Sequence, residues 1–300
     1  MKIFVKMLSQ KSSLFFNATQ LVRLKSTSSS KDLLVLSTKN KVTTVTMNNP
    51  KKLNGWTVAM CNSMFETFDK LANDEETKVM ILTGSDPYYS AGAALSENIT
   101  PMHPRKLHNM IVDNNEKLFN AFLDFPKPIL VAANGPAIGA TVTSAALCDG
   151  ILASEQASFL TPFARLCVAA EGCSSVHFER LMGLEAAERM LLRGEKISAA
   201  EALNIGLVSE VVTHTELLAR AQQLAETWVS QGRRRTIPGN QDVSEYKKVN
   251  RRESVQVADS FLSHNFLDNQ VTFLRSKGKV RETRVFWILK TLRPIWSKLL

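Results

Sequence analysis

An alternation of strand-like and helix-like segments is the feature that most limits the folds open to this chain. Residues 42–47 alternate apolar and polar side chains as a half-buried strand does, and residues 58–71 then carry apolar side chains at helical spacing. The order recurs with a strand over 79–83, a helix over 107–125 and a strand over 128–133. Strands that alternate with helices predict an α/β layer architecture.

The chain becomes mostly helical after about residue 175. Apolar periodicity predicts helices over 184–193, 199–203 and 216–229. The second of these opens with a capping box, in which Ser198 is followed three positions later by Glu201. No stretch of 18 apolar residues occurs, so the sequence predicts no stable insertion into a membrane.

The chain contains 300 residues, of which 44% are hydrophobic, and that content suffices for one sizeable core. Its net charge of +9 is uneven along the sequence. Residues 1–30 hold five basic residues and many serines, and the first acidic residue is Asp32. This composition is typical of a mitochondrial transit peptide, and a basic disordered tail is the alternative.

The last residues contain Ser297-Lys298-Leu299, the tripeptide of the peroxisomal address, but Leu300 follows it. Because that signal is read at the very C-terminus, the mitochondrial matrix is favoured over the peroxisome. The four cysteines and five histidines show no metal-ligand spacing, so the sequence predicts no metal site.

Two turns and one carboxylate carry the chemistry. The small residues from Ser90 to Ala94 follow a predicted strand, and Asn134 to Ala140 form a glycine turn between a strand and a helix. Backbone N–H groups of such turns suit a developing oxyanion. Glu171 supplies a carboxylate that moves a proton if it faces this hole, although a solvated turn carboxylate is the simpler reading of Glu171 alone.

Seven motifs occur together in one order. They are Asn48 to Asn54, Tyr89-Ser90-Ala91-Gly92, Asp124 to Pro128, Asn134 to Gly139, Thr161 to Leu166, Glu171 to Ser175, and Ala199 to Val208. In this order they resemble the crotonase, or enoyl-CoA hydratase/isomerase, superfamily over about residues 33–212. Within it the chain is most similar to the Δ3,Δ2-enoyl-CoA isomerases of the peroxisomal and mitochondrial type.

The resemblance implies a ClpP/crotonase-like fold of repeated ββα units that form a superhelix with a C-terminal helical region. It divides the chain into a leader over 1–30, a catalytic core over 31–212 and a diverged helical tail over 213–300. It also implies a homotrimer whose substrate is an acyl-CoA thioester, with coenzyme A part of the substrate and no separate cofactor.

The resemblance further implies that the chain moves the double bond of a 3-enoyl-CoA to give the 2-trans-enoyl-CoA. Glu171 is then the single acid and base, and the backbone N–H groups of Ala93 and Ala140 form the oxyanion hole. The residues implied along the CoA thioester are Lys51, Lys52, Leu53, Ser90, Ala91, Gly92, Ala93, Ala94 and Gly139.

Departures from the family pattern leave a second function open. Thr143 and the pair Pro162-Phe163 stand where hydratases of the family carry their two glutamates, which argues against addition of water. Ala94 stands where an aspartate is usual, and Cys167 where a glycine is usual. Gly55 in place of alanine and Ala170 in place of proline or threonine are further departures.

These departures allow a catalytically impaired acyl-CoA-binding paralogue as the alternative function. Nucleic-acid binding through Arg233-Arg234-Arg235 and the basic residues at 247–252 is a weaker hypothesis, because few aromatic side chains lie between them. No nucleic-acid partner is therefore expected.

Overall fold

The structure, a computed structural model, describes residues 33–94, 102–239 and 242–300. The predicted leader over 1–30 lies outside the described residues. The strands are β1 (Leu34–Lys39), β2 (Val42–Met47), β3 (Val79–Gly84), β4 (Ile129–Ala133), β5 (Ala137–Ile138), β6 (Gly150–Ser154), β7 (Ser158–Leu160), β8 (Lys196–Ser198) and β9 (Glu210–Val212).

The helices between and after the strands follow the same order along the chain. They are α1 (Val58–Asn73), α2 (Pro104–Asp124), α3 (Ala140–Ala146), α4 (Phe163–Leu166), α5 (Ser174–Met182), α6 (Leu184–Leu191), α7 (Ala199–Asn204), α8 (Leu217–Ser230), α9 (Val243–Phe261), α10 (His264–Ser276) and α11 (Val280–Trp296). Short 3₁₀ turns cover Pro50–Lys52, His214–Glu216 and Ser297–Leu299.

Six strands form the main sheet in the order β1-β2-β3-β4-β6-β9. β1 pairs antiparallel with β2, and the other neighbours are parallel. Every residue of β3 and β4 is buried, as expected for parallel strands that are covered on both faces. The predicted α/β alternation over residues 42–133 is therefore confirmed.

A second, smaller sheet consists of β5, β7 and β8. β5 pairs parallel with β7, and β7 pairs antiparallel with β8.

The capping box that the sequence predicts at α7 is present on the N-cap side, because the Ser198 hydroxyl accepts a hydrogen bond of 3.2 Å from the Glu201 N–H. β5, β8 and β9 hold only two or three residues each, too few for a periodic pattern.

The C-terminal helices pack on two different parts of the molecule. α8 buries Leu217, Ala221 and Trp228 against strands of the main sheet. α9 lies along α2, and α10 and α11 form a separate apolar cluster with Leu107 and Ile111 of α2. Within the described ranges, none of the helices is both long enough and apolar enough to cross a membrane.

Candidate active site

A short backbone ladder brings the two glycine turns together. Ser90 pairs with Ala137 in a parallel bridge: the Ser90 N–H donates to Pro136 O over 3.2 Å, and the Ile138 N–H donates to Ser90 O over 3.0 Å. The chain continues from both residues in the same direction, so Ala93 and Ala140 each follow the paired position within three residues. The two turns that the sequence singles out thus lie side by side.

Both turns present a backbone donor to the same cavity. Among the described residues, none accepts a hydrogen bond from the N–H of Ala93 or Ala140, and both residues line the same cavity. Gly92 precedes Ala93 with a φ of 83°, and a Cβ there would lie 2.5 Å from the Ile138 carbonyl oxygen. A side chain at position 92 would therefore push the two turns apart.

Glu171 lies in the turn before α5 and faces this cavity. It is only 8% exposed, and its Oε2 accepts a hydrogen bond of 2.6 Å from the Nδ2 of Asn115 on α2. Burial raises the pKa of Glu171 to about 7, the Asn115 hydrogen bond lowers it in part, and the negative charge of Glu253 raises it further. Phe163 and Val168 line the same cavity, and apolar neighbours of this kind desolvate a carboxyl group.

An apolar cavity of about 140 Å³ extends from the same place. Its wall shares Ala93, Ala140, Glu171 and Phe261 with the cavity at the turns. The remaining wall comes from α1, α2, α9 and the segment before α1: Trp56, Val58, Cys61, Asn62, Phe65, Met110, Ile111, Asn114, Asn115, Leu118 and Val257. Among the described residues of both walls, Glu171 is the only carboxylate.

The positions that correspond to the hydratase glutamates hold no acid or base. Thr143 is fully buried on α3, and its hydroxyl donates to the Ala140 carbonyl over 3.2 Å. Pro162 and Phe163 present apolar surface to the cavity. Neither place offers a group that activates a water molecule.

Six of the nine residues predicted along the CoA thioester fall into two groups. Ala91, Gly92, Ala93 and Gly139 line the cavity at the turns. Lys51 and Lys52 belong to the exposed 3₁₀ turn before α1, and neither lines the cavity walls. Leu53 joins the two groups, because its carbonyl oxygen accepts a hydrogen bond of 2.9 Å from the Ala91 N–H.

Ser90 is completely buried, and its hydroxyl donates to the Asn54 carbonyl over 2.8 Å. Its side chain therefore supports the turn from behind. Ala94 is half-buried and donates its N–H to the Trp56 carbonyl over 3.1 Å. Position 94 thus keeps a backbone role even though it lacks the carboxylate that is usual in the family.

The backbone conformation or packing bears on two of the departures from the family pattern, Cys167 and Gly55. Cys167, at the C-terminal end of α4, has a φ of 56°, a left-handed conformation that favours glycine. The Asn269 side chain donates to its sulfur over 3.3 Å. Gly55 fits its position because a Cβ there would lie 3.0 Å from the Lys52 carbonyl oxygen.

Four basic residues of the two runs near the C-terminal region have partners within the protein. Arg235 forms a buried ion pair with Asp149 over 2.8 Å, and Arg233 lies over the Trp228 ring at 4.0 Å. Lys247 contacts Asp124 over 2.6 Å, and Arg251 contacts Glu116 over 2.6 Å. These side chains already interact with groups of the same protein, which weakens the hypothesis of a nucleic-acid interface.

Asn115, Glu253 and Ser254 belong to the surroundings of Glu171, and the sequence motifs did not indicate them. Each is a polar residue within the buried stripe of a long helix, Asn115 between Ile111 and Leu118. Glu253 and Ser254 occupy the same kind of position in α9. A polar side chain at a core position of an amphipathic helix is the signal that could have revealed them.

Comparison with known proteins places the chain in a family. The model of the family described as enoyl-CoA hydratase/isomerase matches residues 37–270. Enoyl-CoA delta isomerase 2 of Homo sapiens is 36% identical over 183 residues, which cover 60% of this chain and 46% of that protein. Enoyl-CoA delta isomerase 3, peroxisomal, of Mus musculus is 37% identical over 185 residues, or 61% of this chain and 57% of that protein.

The chain thus spans about half the length of these two relatives. A solved enoyl-CoA hydratase/isomerase from Pseudoalteromonas atlantica T6c superposes with a TM-score of 0.69 at 24% identity, covering 82% of this chain and 98% of that one. This likeness shows the fold. The chain therefore belongs to the enoyl-CoA hydratase/isomerase family and has the crotonase fold that its motifs predict.

Proposed function

We propose that this protein is a Δ3,Δ2-enoyl-CoA isomerase. The observation that carries the proposal is the single carboxylate, Glu171, on a described apolar wall that also presents the free N–H groups of Ala93 and Ala140. Addition of water needs two positioned carboxylates, whereas transfer of a proton between two carbons of one substrate needs a single group that reaches both. The relatives named enoyl-CoA delta isomerase agree with this choice.

In the proposed reaction, ionised Glu171 removes a proton from C2 of the 3-enoyl thioester. The electron pair of that C–H bond forms a C1=C2 double bond and the carbonyl π pair moves onto oxygen, so the negative charge of the dienolate collects on the thioester oxygen. The N–H groups of Ala93 and Ala140 stabilise this oxygen. Protonated Glu171 then returns the proton to C4, so the 3,4 double bond becomes a 2,3 double bond and the carboxylate is restored.

The pKa of Glu171 suits both halves of this cycle. A base with a pKa of about 7 is largely ionised at slightly alkaline pH, and its conjugate acid still gives up the proton readily. The apolar cavity beside it excludes water from the dienolate and offers a surface for the acyl chain.

The decisive experiment follows formation of the conjugated 2-trans-enoyl thioester from a 3-enoyl-CoA with residues 31–300 and with Glu171→Gln. We expect the substitution to lower kcat by about 10³-fold or more, because it removes the proton carrier from an otherwise intact site. Glu245→Gln, which changes an exposed carboxylate on α9, serves as the matched control. Equal turnover by Glu171→Gln and the unchanged protein would contradict the proposal.

The same experiment addresses the impaired paralogue, which Ala94, Cys167 and the diverged tail motivate. Of these, Cys167 has a left-handed backbone conformation. If the unchanged protein binds the CoA ester but turns over no 3-enoyl chain, the paralogue is the better description. A Cys167→Gly variant that gains turnover would then identify the backbone at this position as the cause.

We further propose that the protein works as a homotrimer in the mitochondrial matrix. The composition of residues 1–30 supports this location, and the peroxisome is the alternative because one relative is named as peroxisomal. A fluorescent protein that carries residues 1–30 is expected to enter mitochondria. Import into peroxisomes by the C-terminal residues alone would favour the alternative.

A further inference from the structure

One buried face of α9 combines apolar and polar side chains. Tyr246, Val249 and Val257 are buried on this face, as expected for a helix that packs against α2. Glu253 and Ser254 lie among them and are both 0% exposed. A carboxyl group in such a place costs free energy unless specific partners satisfy it.

Glu253 binds the turn that carries Glu171. Its Oε2 accepts a hydrogen bond of 2.6 Å from the Cys173 N–H, and its Oε1 accepts one of 2.9 Å from the Ser175 N–H. Both donors belong to the N-terminus of α5, where N–H groups lack partners within the helix. Cys173, the N-cap residue, gives no side-chain cap of its own and has a φ of 63°. Glu253 on another helix takes the place of that cap.

The rest of the turn leaves Glu171 little freedom. The Ser174 hydroxyl donates to the Glu171 carbonyl over 2.7 Å. A Cβ at Gly172 would lie 2.5 Å from the Phe119 ring and 2.7 Å from the Thr143 hydroxyl, so the backbone at 172 fits closely against α2 and α3. With Glu253 holding Cys173 and Ser175, the backbone on both sides of Gly172 is fixed.

Ser254, the next residue of α9, acts on the other partner of the base. Its hydroxyl donates to the Asn115 Oδ1 over 2.9 Å, and the Asn115 Nδ2 donates to the Glu171 Oε2 over 2.6 Å. Because one side of the Asn115 amide accepts from Ser254, the NH₂ side is the one that faces Glu171. The hydroxyl thereby selects the amide orientation that the base requires.

We propose that α9 positions the base: Glu253 clamps the Cys173–Ser175 backbone that presents Glu171, and Ser254 orients the Asn115 amide that holds the Glu171 carboxylate. This inference rests on the proposed role of Glu171 as the base. Glu253 and Ser254 are positioning residues, because neither lines the described walls of the cavities that Glu171 faces.

The charges around the two carboxyls agree with this division of roles. Glu253 has two backbone donors at a helix N-terminus and the positive charge of Arg252 nearby, whereas Glu171 has the side-chain donor Asn115. Burial raises the pKa of both groups, and the charge of Glu253 makes Glu171 harder to ionise. Burial also raises the pKa of the neighbouring Cys173 thiol, which therefore stays protonated.

The test compares Glu253→Gln, Glu171→Gln and Glu245→Gln in the isomerase assay across pH. An amide in place of the Glu253 carboxylate has only one acceptor oxygen and cannot serve both Cys173 and Ser175, so the turn shifts. We expect kcat to fall by about 10²-fold with KM changed less than about twofold, since a displacement of about 1 Å at a reacting group has that effect. The acid limb of the pH profile moves to lower pH, because Glu171 loses a neighbouring negative charge.

Glu245→Gln is a matched control because Glu245 is also on α9 and also binds α5, through Arg180 over 2.8 Å, and it lines neither cavity wall. If only Glu253 positions Glu171, the Glu245→Gln variant has the same kcat and the same acid limb of the pH profile as the unchanged protein. A folded Glu253→Gln protein with unchanged kcat and acid limb overturns the proposal, and so does an equal loss in Glu245→Gln.

Ser254→Ala provides a second test if Glu253→Gln does not fold. We expect its kcat to fall by about tenfold, because the Asn115 amide loses the donor that fixes its orientation. Ser254→Thr keeps the hydroxyl and restores the activity. Equal activity of the Ala and Thr variants contradicts the role of Ser254.

A titration separates failure of this inference from failure of the proposed function. Carbon-13 NMR of labelled glutamate carboxyls, assigned by loss of one signal in Glu171→Gln, reports the ionisation of Glu171 without substrate. We expect a midpoint of about 7 in the unchanged protein and a lower one in Glu253→Gln. An inactive protein with this shift keeps the positioning role and loses the isomerase. If the unchanged protein is active, and Glu253→Gln changes neither kcat nor the midpoint, the isomerase function is kept and the positioning role is lost.

Discussion

The catalytic role that we propose for Glu171 comes at the expense of stability. The unfolded chain leaves this carboxyl in water with a pKa near its usual value of 4.5, whereas burial in the folded protein raises the pKa to about 7. The folded state therefore favours the protonated form. The stability that this group contributes is fully present at low pH, below the unfolded pKa, and it is lost as pH rises from about 4.5 through 7.

Replacing Glu171 by Gln removes the fall in stability between about pH 4.5 and 7. We expect Glu171→Gln to be more stable than the unchanged protein at pH 8 by roughly 1–3 kcal/mol, with the difference shrinking toward about pH 5, since each unit of pKa shift corresponds to about 1.4 kcal/mol. Urea unfolding at several pH values measures it. A difference that stays constant across this range would show that folding does not raise the pKa of Glu171.

Glu245→Gln serves again as the control for this measurement. The hydrogen bond from Arg180 lowers the pKa of Glu245, so its contribution to stability is present at neutral pH and lost as pH falls through the folded pKa. The two substitutions thus change the pH dependence in opposite directions.

At the scale of elements, one buried ion pair joins the sheet to the segment before α9. Asp149, just before β6, has a fully buried side chain and accepts hydrogen bonds from the Ile129 N–H and the Thr236 N–H, at 2.8 and 2.7 Å. Arg235 donates to Asp149 and also to the carbonyl oxygens of Phe122 and Leu147. This pair connects β4, β6 and the end of α2 to the chain that leads into α9.

We expect Arg235→Met to destabilise the protein by about 3–5 kcal/mol, because it leaves the Asp149 carboxylate buried with one counter-charge fewer. The adjacent Arg234→Met is the control, since Arg234 is exposed and changes at such positions usually alter stability by less than about 0.5 kcal/mol. Urea denaturation of both variants measures the difference. Similar stability of the two variants would mean that the ion pair adds little.

The elements could be predicted from the sequence to different extents for physical reasons. β2, β3 and β4, together with α1 and α2, follow apolar patterns long enough to show a period, and the structure confirms them. β5, β8 and β9 depend on pairing with distant strands, which local sequence does not encode. The turn of Glu171 was found from its motif. Asn115 binds Glu171 from 56 positions away and Glu253 binds Cys173 from 80, a proximity that only the fold creates.

At the scale of the whole molecule, the last helix leaves an apolar strip uncovered. Trp287, Ile288 and Ile295 on α11 are 52%, 48% and 69% exposed. Exposed apolar surface of this kind often marks a contact between proteins. It supports the homotrimer proposed above, in which other copies of the chain cover the strip.

Substituting Ile288 and Ile295 together by Lys is expected to dissociate the assembly, because it places charges where apolar contact is required. Light scattering would show a fall from about three chains to one, with an unchanged circular dichroism spectrum. Leu218→Lys is the control, since Leu218 on α8 is 52% exposed but lies outside this strip. A trimer that persists in the double variant would place the contact elsewhere.

The clamp that Glu253 forms on Cys173 joins positions 80 residues apart in the chain. During synthesis, the segment that holds Glu171 appears first and the helix that contains Glu253 appears much later. The surroundings of Glu171 are therefore completed late. A partly synthesised chain holds the Glu171 turn without these hydrogen bonds, so the turnover that we propose begins only once α9 has been made and has folded onto the turn.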